Sequence, residues 1–173
     1  MTGLMLFVLG GARSGKSRYA QSRAEALGGD PVFIATAEAF DDEMHERIAR
    51  HRADRDARWR TIEAPRGLPA AIDAWNDRNA VVLVDCLTLW VSNLLLADAD
   101  IPAAGRELCA AIARFEGALI LVANEVGLGI VPDNALARQF RDAAGQLNQS
   151  VAAAAGEVVL LTAGLPLTLK PHR

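Results

Sequence analysis

Gly10-Gly11-Ala12-Arg13-Ser14-Gly15-Lys16-Ser17 follows the apolar run Leu4–Leu9 and opens a helical pattern over Lys16–Leu27. The octapeptide fills every position of GxxxxGK[ST], in the strand-to-helix context that gives the motif its meaning. Its glycines let the chain curl so that successive N–H groups point inward at phosphate oxygens. The N-terminus of the following helix adds partial positive charge. Lys16 can then reach the outer phosphates as a point charge, and the Ser17 hydroxyl can coordinate Mg²⁺. A glycine turn that binds nothing is the alternative, and the strand before and helix after argue against it.

The rest of the chain supplies matching parts. Short apolar strands are predicted at Val32–Thr36, Ala80–Val84, Ala118–Ala123 and, last, Glu157–Thr162, with a possible short strand at Trp59–Glu63. Helices are predicted from Asp41 to about Ala57 and over Leu68–Asn76, Leu87–Ala97, Pro102–Arg114 and Asn134–Ala155. Continuous apolar strands alternating with helices indicate an α/β protein of the P-loop NTPase type, a mostly parallel sheet with helices on both faces. Nothing splits the chain, so residues 1–173 read as a single nucleotide-binding domain. Val81-Val82-Leu83-Val84-Asp85 ends in a carboxylate at the edge where ligands of open α/β sheets bind, which makes Asp85 a second candidate Mg²⁺ ligand beside Ser17. The alternative for Asp85 is a cap on the next helix.

Composition narrows the class. With 173 residues, 51% hydrophobic, 23% charged and a net charge of −3, the chain is globular and carries no general basic surface for nucleic acid. No apolar run reaches the roughly 18 residues of a membrane span. The N-terminal run breaks at Gly10-Gly11, which does not resemble a secretory signal. Two isolated cysteines, Cys86 and Cys109, read as buried thiols of a reducing compartment, so the protein is expected in the cytoplasm. Of 18 basic residues only Lys16 and Lys170 are lysines.

The segment Asp41–Arg55 holds two histidines that helical spacing separates. His51 shares a face with Arg47 and Arg55, with Arg52 beside it; His45 shares one with Asp41 and Asp42. Neighbouring arginines disfavour the imidazolium, leaving a neutral nucleophile next to groups that neutralise phosphate oxygens. A solvated helix of mixed charge explains the same spacing without chemistry, and spacing alone leaves both readings open.

Taken together, GGARSGKS at 10–17, FIATAE at 33–38, DDEMHERIARHRADR at 41–55, WRTIEAP at 59–65, LVDCLT at 83–88 and NEVGLGIVP at 124–132 with the following RQFRDAAGQLNQ resemble one family. It is the bifunctional adenosylcobinamide kinase/adenosylcobinamide-phosphate guanylyltransferase family of cobalamin synthesis. The resemblance covers nearly the whole chain in order and spacing. It implies phosphorylation of adenosylcobinamide by ATP or GTP, then transfer of GMP from GTP to that phosphate through a covalent GMP–histidine. His51 matches the family's histidine. Nucleotide contacts are implied at Gly10, Gly11, Ala12, Arg13, Ser14, Gly15, Lys16 and Ser17, at Ala35, Thr36 and Ala37, at Arg52, Ala53, Asp54 and Arg55, and at Glu63 and Asp85. The resemblance also implies Mg²⁺ and a homotrimer.

Two other functions remain open to the sequence. One is a monofunctional P-loop kinase of a small molecule; the other is a P-loop regulatory NTPase, against which the absence of an NKxD motif speaks. The loop from Asn124 to Pro132 has three possible roles: touching the corrinoid, closing over nucleotide, or packing against another subunit. The apolar helix Leu87–Leu96 either faces a second subunit or covers the sheet.

Overall fold

The computed structural model describes residues 3–38 and 56–172. Their centre is a seven-stranded sheet. The strands are β1 (Met5–Gly10), β2 (Asp30–Ala35), β3 (Arg60–Glu63), β4 (Ala80–Asp85), β5 (Ala118–Asn124), β6 (Glu157–Thr162) and β7 (Leu165–Lys170), in the order β3-β2-β4-β5-β1-β6-β7. Every neighbouring pair is parallel except β6–β7. The described helices are α1 (Lys16–Leu27), α2 (Leu68–Asp73), α3 (Leu87–Leu96), α4 (Ile101–Arg114) and α5 (Ala135–Ala154).

Both sheet faces are covered, which is why the central strands are apolar at consecutive positions. Along β5, Leu119, Leu121 and Ala123 turn to one core with Leu108, Ile112, Leu147 and Val151, while Ile120 and Val122 turn to the other with Ala20 and Ala24 of α1. The first core also takes Leu87, Trp90, Val91 and Leu94, so α3 covers the sheet rather than presenting that face to a second subunit. Fully buried Trp90 is anchored by its indole N–H, which donates to Arg66 O at 2.7 Å. Asp100 and Asn134 cap α4 and α5 by accepting from Ala103 N and Ala137 N.

Several expectations are corrected. The predicted helix over 68–76 stops at Asp73, where Trp75 N and Asn76 N bond three residues back and close a tighter turn. Most of the predicted helix from Asp41 lies outside the described residues, and its end at Ala57 is a turn. Glu157–Thr162 is not the last strand: β7 returns through Ala163 and Gly164, both at positive φ. Pro166 masks β7 in the sequence, but an edge strand tolerates a missing N–H. Leu165, Leu167 and Leu169 of β7 are exposed. Cys86 is buried, and burial pushes its thiol up to about 11; Cys109 is only half-buried.

Candidate active site

The phosphate loop joins β1 to α1. Gly15 sits at φ 93° and Arg13 at φ 54°, a curl at two nearby positions that turns the chain back toward α1. Lys16 is the first residue of α1, and its ammonium donates to Gly11 O at 3.2 Å, across the mouth of the loop. Ser14 and Lys16 are buried, Ser17 is half-buried, and Gly11, Ala12 and Arg13 are exposed. Gly10 has no room for a side chain: a Cβ there would stand 2.3 Å from Ser14 Oγ and 2.9 Å from Leu161 O. The β6–β7 turn braces the loop from behind, Gly164 N donating to Ser14 O at 2.9 Å.

A second group lies across the C-terminal ends of β3, β2 and β4. Glu63 pairs laterally with Ala35, and Ala35 with Asp85. Laterally paired residues of parallel strands share a face, and the alternation of β4 and β2 puts this row on the α1 side, with Leu83, Phe33 and Ala35. Three residues named separately by the sequence are therefore one row. Glu63 is exposed; Ala35 and Asp85 are half-buried. Asp85 does not cap α3: the cap position is Cys86, and no side chain bonds there.

Thr36 is tied into the fold by its side chain and its carbonyl. It is fully buried, and its hydroxyl donates to Cys86 O at 2.6 Å while accepting from Cys86 N at 2.9 Å. Its carbonyl takes a bond from Asn93 Nδ2. The residue locks the end of β2 to the end of β4; Ala37 beside it is half-buried. His51, Arg52, Ala53, Asp54 and Arg55 lie outside the described residues.

One expectation about position changes. Asp85 does not stand next to the phosphate loop, because β5 runs between β4 and β1. The residue beside the loop is Asn124, paired with Gly10, followed by Glu125, whose N–H donates to Gly10 O at 3.1 Å. Periodicity places Asn124 only at the start of a loop, since strand order is not written in it. The signal was present: a polar residue closing an apolar strand, as Asp85 does. Ser17 and Asp85 supply a hydroxyl and a carboxylate oxygen, the hard donors Mg²⁺ takes in ones and twos beside phosphate oxygens and water. An open groove of about 800 Å³ between α4 and α5 contains none of the predicted site residues.

Comparison with known proteins identifies relatives of the chain. Residues 6–169 match the model of the family described as CobU, cobinamide kinase / cobinamide phosphate guanyltransferase. The bifunctional adenosylcobalamin biosynthesis protein CobP of Pseudomonas aeruginosa is 47% identical over 165 residues, covering 94% of this chain and 95% of that protein. Its Escherichia coli K12 counterpart CobU is 45% identical, covering 96% of this chain and all of that protein. Among solved structures, the type III secretion ATPase EscN of enteropathogenic E. coli matches with a TM-score of 0.57 at 12% identity, over 93% of this chain and 43% of that one, a likeness of fold alone. With a family match running from β1 to β7 and relatives 47% and 45% identical over nearly the whole length, the chain belongs to the cobinamide kinase/cobinamide phosphate guanyltransferase family.

Proposed function

We propose that this chain phosphorylates adenosylcobinamide with a nucleoside triphosphate and then transfers GMP from GTP to the resulting phosphate, in adenosylcobalamin biosynthesis. The observation that carries the reading is the complete phosphate loop of residues 10–17, set on the same sheet edge as the Glu63–Ala35–Asp85 row. The loop N–H groups and Lys16 hold the triphosphate, whose negative charge they offset. Glu63 suits guanine, since one carboxylate accepts from the ring N–H and the exocyclic amine together. Ser17 and Asp85 hold Mg²⁺, which supplies charge neutralisation at the phosphates.

His51 takes the GMP covalently. Its imidazole nitrogen attacks the α-phosphorus of GTP, the bond to the bridging oxygen breaks, and pyrophosphate leaves with that electron pair. The phosphate of adenosylcobinamide phosphate then attacks the same phosphorus and frees the histidine. Splitting one displacement in two is what a positioned nucleophile achieves. Arg52 and Arg55 suit the charge that develops on the phosphate.

The protein acts in the cytoplasm as a homotrimer. Exposed Leu128, Ile130 and Val131 of the 124–132 loop and the leucines of β7 are apolar surface that such an assembly covers. Intact-mass measurement after GTP and Mg²⁺, followed by peptide mapping, tests the covalent step. The expected result is one added GMP, acid-labile and base-stable, on His51 and lost in His51→Ala. A GMP on His45, on a lysine or on no residue overturns it.

A further inference from the structure

Among the described residues, two buried side-chain polar atoms lack a hydrogen-bond partner, Ser14 Oγ and Asn124 Oδ1. Both belong to residues that neighbour Gly10. Ser14 Oγ is the atom a Cβ on Gly10 would strike, and Asn124 pairs with Gly10 across the sheet. Unpartnered polar atoms are costly in a protein interior, and two together mark a place where a ligand completes the bonding.

The backbone at Asn124 is held from several sides. Its N–H donates to Thr88 Oγ1 at 2.7 Å, its carbonyl accepts from Asn148 Nδ2 at 3.5 Å, and the next N–H donates to Gly10 O. Ala123 turns to the core opposite α1, so alternation aims the Asn124 carboxamide at the α1 side, where the phosphate loop lies. The unpaired atom is an acceptor. It is closed to solvent, so a ligand meets it only as the carboxamide turns toward the loop; the phosphates offer only acceptors, so the group it then meets is a donor arriving beside them.

We propose that Asn124 is a catalytic residue of the phosphorylation step, its Oδ1 accepting a hydrogen bond from the alcohol that attacks the terminal phosphate. This rests on the reading of residues 10–17 as the triphosphate site for that step. The alcohol oxygen bonds to the terminal phosphorus, the bond from that phosphorus to the bridging oxygen breaks, and the nucleoside diphosphate leaves with the electron pair. The hydroxyl proton passes to solvent water; Asn124 orients the hydroxyl and does not take the proton. Guanylyl transfer has a phosphate as acceptor and no such hydroxyl to orient.

The two activities of one chain make the test. In Asn124→Ala, cobinamide phosphorylation at saturating triphosphate should slow about tenfold or more. Guanylyl transfer to cobinamide phosphate, and affinity for a non-hydrolysable triphosphate, should stay within about twofold. Asn124→Asp keeps an acceptor oxygen and should recover most of the lost phosphorylation rate. Asn124→Ser, too short to reach, should not, and this pair carries the comparison if the alanine variant fails to fold. Equal loss of both activities, an unchanged phosphorylation rate, or failure of the aspartate to recover more than the serine would overturn the proposal. Triphosphate affinity left intact by Lys16→Ala would instead overturn the reading of the phosphate loop.

Discussion

The side-chain amide of Asn93 donates to the carbonyl oxygen of Thr36 at 2.7 Å, and its second N–H donates to Pro65 O at 2.9 Å. One buried residue of α3 thus holds the chain just beyond β2 and just beyond β3, next to Ala35 and Glu63. Asn93→Ala leaves both carbonyls short of a donor and should destabilise the fold by about 2–3 kcal/mol. Thermal or urea unfolding measures the loss. GTP affinity should fall as well, since the row is no longer clamped. A variant as stable as the parent would show that water replaces the amide.

Lys16→Ala should leave a folded protein that binds triphosphate more weakly by about 1.5–3 kcal/mol, the worth of one charge-assisted contact. Titration calorimetry reads this directly, and circular dichroism checks the fold. Lys16 is buried with its ammonium over Gly11 O. The loop itself is held from outside by Gly164, so its shape should survive the substitution.

Asp85→Asn keeps the size of the side chain and removes its charge. Triphosphate affinity with Mg²⁺ should drop about tenfold or more, while affinity in chelator should change little. Asp85 has no capping bond to lose, so the melting temperature should hold. Equal effects with and without Mg²⁺ would assign Asp85 to the nucleotide rather than to the metal.

The ion pair of Arg23 and Glu157 ties α1 to β6 through two bonds of 2.8 Å. The Arg23 guanidinium holds the Glu157 carboxyl below its usual range, and the same contact raises Arg23. A depressed carboxylate stabilises the fold fully above its unfolded pKa of about 4.3 and loses that contribution as pH falls through the lower folded value. Glu157→Gln should cost about 1–2 kcal/mol at neutral pH. The gap to the parent should close below about pH 4 in pH-dependent melts. A gap that persists unchanged into acid would make the loss one of packing.

The residues that could be read from sequence are those whose chemistry is local. The phosphate loop needs eight consecutive residues, and α1 runs from Lys16 to Leu27 as its spacing predicts. Asp85 closes an apolar strand and says so by itself. What escaped reading depends on lateral neighbours. Periodicity locates β4 and β5 but not that β5 lies against β1, so Asn124 stood next to the loop unnoticed. Thr36 lies in FIATAE, but the bonds of its hydroxyl to Cys86, fifty positions on, are a property of the assembled sheet. β7 went unread because its signal is three leucines around a proline, and the edge position that makes the proline harmless is a property of the assembled sheet.

The bond from Gly164 N to Ser14 O joins residues 150 positions apart. Gly15 also packs against that turn, where an added Cβ would stand 3.3 Å from Gly164 Cα. The octapeptide is therefore not a self-sufficient cassette: its rear support is delivered by the final hairpin. A chain cut after β6 would retain every letter of the motif and lose the peg behind it. The motif is thus written near the start of the sequence, while the support behind it is written far downstream, in the turn between β6 and β7.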